Sequence, residues 1–193
     1  MDVVLVHGIW DGGRVFQKMA TALEAAGHRC FRPDLEPANG SLGLADLARK
    51  LKAYIDRRLG PDGRFALIGH SMGGIVTRYY LQKLDGAARV TRYFTISGPH
   101  HGTLAAHIWP GKAARDMRFG SGLLDELNAD TSALLPLMSQ SYRTPFDLMI
   151  VPSTTSHVDW ADNHRMYALL HHLMLRHPKV IAHIVRTLES TDA

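Results

Sequence analysis

The 193-residue chain reads as an α/β protein, a three-layer α/β/α sandwich around about six mostly parallel strands. Three observations carry this reading. Short strand-like runs, rich in apolar and β-branched residues, recur at Val3 to Val6, Phe65 to Ile68 and Val90 to Ile96. Segments with apolar residues at helical spacing separate them. Glycine and proline mark the joins, as at Gly27, Pro33 and Gly60-Pro61. Strands that alternate with helices pair in parallel, and the helices cover both faces of the sheet.

Taken in order, Val3 to Val6 is a buried strand, followed by a glycine-containing turn at Gly8 and Gly12-Gly13. A helix carries Val15, Met19, Ala22, Leu23 and Ala26 on one face and stops at Gly27. Arg29 to Arg32 is a short strand closed by Pro33. Ser41 is the expected cap of a second helix, with Leu44, Leu47, Leu51 and Ile55 inward and an end near Gly60-Pro61. The strand 65–68, a tight turn and a helix to about Leu84 come next, then the strand Val90 to Ile96. Residues 137–142 and 166–170 are the last two strand candidates. Pro178 suits the first turn of a closing helix whose inner face is Val180, Ile181, Ile184, Val185 and Leu188. The length fits one domain over 1–193. The segment 98–135 is longer than a simple connection, contains a helical piece from Gly122 to Ala129, and is the only room for a small lid or insert.

Bulk properties exclude several classes. The net charge of +4 comes from scattered basic residues, so neither a nucleic-acid arm nor a polybasic membrane segment is expected. No stretch reaches transmembrane length, so no stable membrane insertion is expected. The single cysteine, Cys30, rules out an intrachain disulfide and a cysteine-rich zinc site, and its strand position suggests a buried, inert thiol. The 12 histidines form no H-E-x-x-H pair, and no metal or organic cofactor is expected. The first residues do not form a signal peptide, which implies a cytoplasmic protein if Met1 is the natural start.

The segment Gly69-His70-Ser71-Met72-Gly73-Gly74 lies between a strand and a helix. A G-x-S-x-G turn in that setting is a nucleophile elbow, a sharp and strained turn that holds the serine hydroxyl above the end of the sheet. A serine hydroxyl needs a base within hydrogen-bond reach, and the base needs an acid to fix its tautomer. Backbone donors must also face the developing oxyanion. Met72 N–H, directly after the serine, is one candidate donor. Ile9 N–H, in the turn His7-Gly8-Ile9-Trp10, is the other. The acid should follow the strand at 137–142. There Asp147 is preferred, with Asp159 and then Asp162 as rivals. The base should follow the strand at 166–170, where His171 comes first, with His172 and the helix-flanking His177 as alternatives.

These motifs together resemble bacterial lipases and esterases of the α/β-hydrolase fold, of the small kind without a large cap domain. Val4-Leu5-Val6-His7-Gly8 is similar to their oxyanion strand, and Gly69 to Gly74 to the lipase form of the elbow. Ile96 to Thr103 and the region from Arg115 to Leu124 also resemble the family. Asp147-Leu148-Met149-Ile150-Val151-Pro152 resembles its acid loop, and His171-His172-Leu173-Met174-Leu175 its base segment. The resemblance therefore implies Ser71, Asp147 and His171 as the triad. It also implies a small-molecule acyl ester or lipid as substrate. A thioesterase or acyltransferase with the same triad, or a non-catalytic lipid-binding module, are the competing readings. In 98–135, the side chains of Trp109, Met117, Phe119, Leu123 and Leu124 either form an apolar flap or pack on the sheet.

Overall fold

A computed structural model describes residues 1–190. Six strands form one sheet: β1 (Asp2–Val6), β2 (Arg29–Phe31), β3 (Phe65–His70), β4 (Val90–Ile96), β5 (Ser139–Arg143) and β6 (Ala161–Arg165). Their order across the sheet is β2-β1-β3-β4-β5-β6, and every neighbouring pair is parallel. The chain leaves β1 for β2 on one side and returns to β3 on the other. That reversal opens a crevice at the carboxyl ends of β1 and β3, where open α/β sheets bind ligands.

The period-two alternation of β1 divides the core. Val4 and Val6 face a cluster with α2 (Leu44–Leu59) and α3 (Met72–Lys83), which contribute Leu47, Leu51, Ile55, Ile75, Val76 and Tyr80. Val3 and Leu5 face a second cluster with α1 (Gln17–Ala25) and the closing helix (Pro178–Glu189), which contribute Met19, Leu23, Val180, Ile184 and Leu188. The result is the three-layer sandwich, and β3 is buried along its whole length at its centre. Proline stands in the first turn of the closing helix, where its missing N–H costs nothing. Among the described residues, no helix is long and apolar enough to cross a membrane. Burial pushes the Cys30 thiol up to about 12, so it stays protonated and unreactive at neutral pH.

Two expectations fail. Residues 166–170 are not a strand. The last strand is Ala161–Arg165, whose sequence ADNHR carries almost no hydropathy signal. It is an edge strand held by backbone pairing to β5 and by Asn163, whose side chain bonds the Val158 backbone at both N–H and C=O. Most of the apolar run after it faces solvent, with Leu169 73% and Tyr167 63% exposed, and only Ala168 is buried. The second error concerns Ser41. The residue before α2 is Gly43, without a side-chain cap. The orphan N–H of Leu44 instead donates to Asp116 Oδ2 at 2.8 Å, a cap supplied from 72 residues downstream.

Within 98–135 lie α4 (Lys112–Asp116) and α5 (Gly122–Ala129), with short 3-10 turns on either side. The flap question divides by residue. Met117 and Leu124 are buried in the α2/α3 cluster, and Leu123 packs against it. Trp109 and Phe119 remain well exposed. The segment is stitched down by Arg78 of α3, which donates to Leu127 O and Asn128 Oδ1.

Candidate active site

Ser71 sits between β3 and α3 with φ 55° and ψ −126°, a conformation a non-glycine residue adopts only when its surroundings impose it. Those surroundings are tight. A Cβ on Gly69 would lie 2.5 Å from Thr77 Oγ1, and one on Gly73 would lie 2.3 Å from Val6 O. A Cβ on Gly8 would come within 2.9 Å of the Ser71 Cβ. Glycine at these points therefore lets the β1 turn and the start of α3 close around the serine. Ser71 N–H donates to Ile96 O at 2.9 Å, anchoring the elbow to β4. The serine itself is only 6% exposed.

Asp147 and His171 come from loops after β5 and β6. Thr144 Oγ1 donates to Ala168 O at 2.6 Å and ties those two loops together. His171 Nδ1 lies 2.9 and 2.8 Å from the two carboxylate oxygens of Asp147. The same carboxylate accepts the backbone N–H groups of Met149 and Ile150 at Oδ1. Burial raises the Asp147 pKa, but the hydrogen bond and charge of His171 and the two backbone donors outweigh it. The net direction is down, so Asp147 is ionised wherever His171 needs an acceptor. The opposite ring nitrogen, His171 Nε2, is buried and has no hydrogen-bond partner, Ser71 Oγ included. Such contacts are often long in ligand-free sites and tighten when substrate binds.

The rivals lie elsewhere. Asp159 is exposed in the loop that enters β6, beside Leu135 and Met138, at the far end of the sheet. Asp162 is on β6 and accepts from Gln140 Nε2. His172 is exposed, and His177 stands at the N-cap position of the closing helix. His171 is not the first residue off a strand, as the sequence suggests. It opens a 3-10 turn, His171–Arg176, six residues beyond the end of β6. Among the described residues, the backbone N–H groups of Ile9 and Met72 have no protein acceptor.

Three contributions were not legible in the sequence. His70 is fully buried, and its ring packs at a tilt of 40° against that of His171, with centroids 4.7 Å apart. Burial, reinforced by the charge of His171, holds its pKa well below the ordinary 6.5, against an opposing contribution from the His171 backbone. A neutral ring therefore packs against the histidine. Asp11, near His7 and His171, has its pKa raised by burial. It lines an acidic groove of about 500 Å³ with His7, Asp34 and Glu36. An apolar slot opens at Ser71 itself, and Met149, which the sequence places only in a loop, is part of its wall. The sequence places His70 in the elbow but does not show its contact with His171, and no pattern marks the other two, because each arrangement depends on distant segments meeting at the end of the sheet. Most of the exposed large apolar side chains, among them Trp10, Ile108, Trp109, Phe146, Leu148 and Leu169, stand on the loops around this site.

The fold and elbow define an α/β hydrolase, and comparison with known proteins agrees. Residues 3–189 match the model of the alpha/beta hydrolase family, and the chain belongs to that family. A pyrethroid hydrolase of Sphingobium wenxiniae is 29% identical over 122 residues, 59% of this chain and 42% of that protein. A carbendazim hydrolyzing esterase of a Nocardioides species is 32% identical over 114 residues, 56% of this chain and 47% of that protein. The aligned region thus spans under half the length of these relatives. Among solved structures, Aspergillus fumigatus lipase B superimposes with TM-score 0.81 at 14% identity, over 97% of this chain and 52% of that one. A Bacillus licheniformis lipase does so with TM-score 0.75 at 17% identity, over 97% and 91%. At these identities the superpositions speak for the fold.

Proposed function

We propose that the chain is a serine carboxylic-ester hydrolase in which Ser71 is the nucleophile, His171 the base and Asp147 its orienting acid. The observation that carries this reading is the Asp147 carboxylate on His171 Nδ1, which leaves the buried Nε2 free on the other side of the ring. Ser71 Oγ attacks the acyl carbonyl as His171 Nε2 takes its proton. Asp147 stabilises the resulting imidazolium and stays ionised. The N–H groups of Ile9 and Met72 hold the oxyanion. The imidazolium returns the proton to the leaving alcohol, and water cleaves the acyl-enzyme by the same base catalysis. Relatives described as esterases and hydrolases support the reaction class.

Ser71→Ala tests the reading. It removes only a hydroxyl at a site where alanine's Cβ is already accommodated. Turnover of p-nitrophenyl propionate should fall by several orders of magnitude, about 10⁶ for the analogous change in a serine protease. A fluorophosphonate probe should label the parent protein and not the variant. Undiminished turnover in folded Ser71→Ala protein would sink the proposal.

A further inference from the structure

The slot at Ser71 is apolar and narrow. Its walls include Ile9, Ala106, Trp109, Met117 and Met149, and the space between them is about 30 Å³. A cavity of about 150 Å³ takes a six-carbon ring, so a slot of about 30 Å³ takes only a very small group. We infer that it is the acyl pocket and that its walls restrict this hydrolase to short acyl groups, acetyl and propionyl. The inference rests on Ser71 being the nucleophile.

The walls are braced against expansion. Thr103 N–H donates to Met117 O at 3.0 Å, and Thr103 Oγ1 donates to Met149 O at 2.8 Å. The same hydroxyl accepts Val151 N–H at 2.9 Å. Asp147, while holding His171, also accepts Met149 N–H at 3.0 Å. The two methionine walls are thus tied to one another through Thr103, and the Met149 wall is tied to the acid of the triad. Moving Met149 outward to admit a longer chain would strain the loop that carries the acid. Chain length is therefore coupled to catalysis, and poor fit should lower kcat as well as raise KM. At the outer end Trp109 closes the slot, its ring edge-to-face with Trp10 at 4.8 Å. A chain beyond three carbons has to displace these walls or lie in water over the exposed rim.

The test is a series of p-nitrophenyl esters from acetate to octanoate, each below its solubility limit, with the full chain. Specificity should peak at acetate or propionate, and kcat/KM for hexanoate, three methylenes longer than propionate, should be lower by at least about tenfold, the discrimination a tight pocket gives for a single methylene. Met149→Ala should move the peak one or two carbons longer. Trp109→Ala, at a half-exposed position tolerant of change, should do the same by opening the outer end. Parent protein whose kcat/KM is flat or rises to octanoate overturns the inference, as does an unchanged profile in both variants. If fluorophosphonate labels Ser71 while the profile is flat, only the acyl limit fails. Neither labelling nor turnover of any ester overturns both this inference and the assignment of the nucleophile.

Discussion

Asp147 is the residue on which the most interactions converge. Its two oxygens accept from one imidazole nitrogen and two backbone N–H groups, in a position 6% exposed. An amide there would keep the shape but place a donor toward His171 or lose a backbone acceptor, and the imidazole would take the wrong tautomer. Asp147→Asn should cut kcat by about 10⁴, as the equivalent change does in a serine protease. Asp159→Asn, exposed at the opposite end of the sheet, should leave kcat unchanged. Steady-state kinetics on the two variants decides between them, and the reverse outcome would reassign the acid. The serine and the glycines around it were legible because backbone sterics at the elbow demand a local pattern of residues. The histidine was harder to place, because three candidates occur within seven residues and only packing against His70 and Asp147 selects among them.

Among the elements, legibility followed hydropathy. β1, buried from Val3 to Val6, and the fully buried β3 carry apolar runs, and α2 and the closing helix have clean inward faces, so the sequence shows all four. Strand β6 has no such face. It is an edge strand defined by its pairing with β5, and an exposed apolar loop beside it mimics the signal of a strand. The cap of α2 was hidden for a related reason, since its acceptor comes from α4. Asp116 is half-buried, and burial raises its pKa although the Leu44 N–H opposes that shift. Asp116→Ala would leave the Leu44 donor unpaired and cut the link between α2 and α4. It should destabilise the fold by about 0.5–2 kcal/mol, the range for loss of an N-cap. Urea denaturation monitored by circular dichroism reads this directly. A midpoint equal to the parent's would show that water replaces the carboxylate at no cost.

For the molecule as a whole, the decisive electrostatic feature is buried neutral histidine. His70 and His100 are fully enclosed, and desolvation holds both pKa values well below the ordinary 6.5. Across the sheet, the tilted rings of His164 and His183 pack with centroids 4.5 Å apart, beside Tyr142, whose hydroxyl meets His183 Nδ1 at 2.7 Å. Burial and then a neighbouring charge lower both of these as well: His183 for His164, and Arg186 for His183, each opposed by Asp162. In the unfolded chain every one of these rings takes a proton as pH falls through about 6.5, while the folded rings remain neutral. The unfolded state then binds more protons, so stability is complete above that pH and declines below it, down to the folded-state values. Each of the two enclosed rings contributes a slope of about 1.4 kcal/mol per pH unit within its window. Asp147, lowered in the fold, adds a loss only in stronger acid, below about 3.8. The denaturant midpoint should therefore hold steady above pH 7 and fall steeply between pH 6.5 and 5 at constant m value. Because the rings occupy both faces of the sheet and its last strand, one cooperative transition should carry the whole loss. A midpoint that is flat across this range, or a separate early transition, would show that these histidines protonate in place without unfolding the sheet around them.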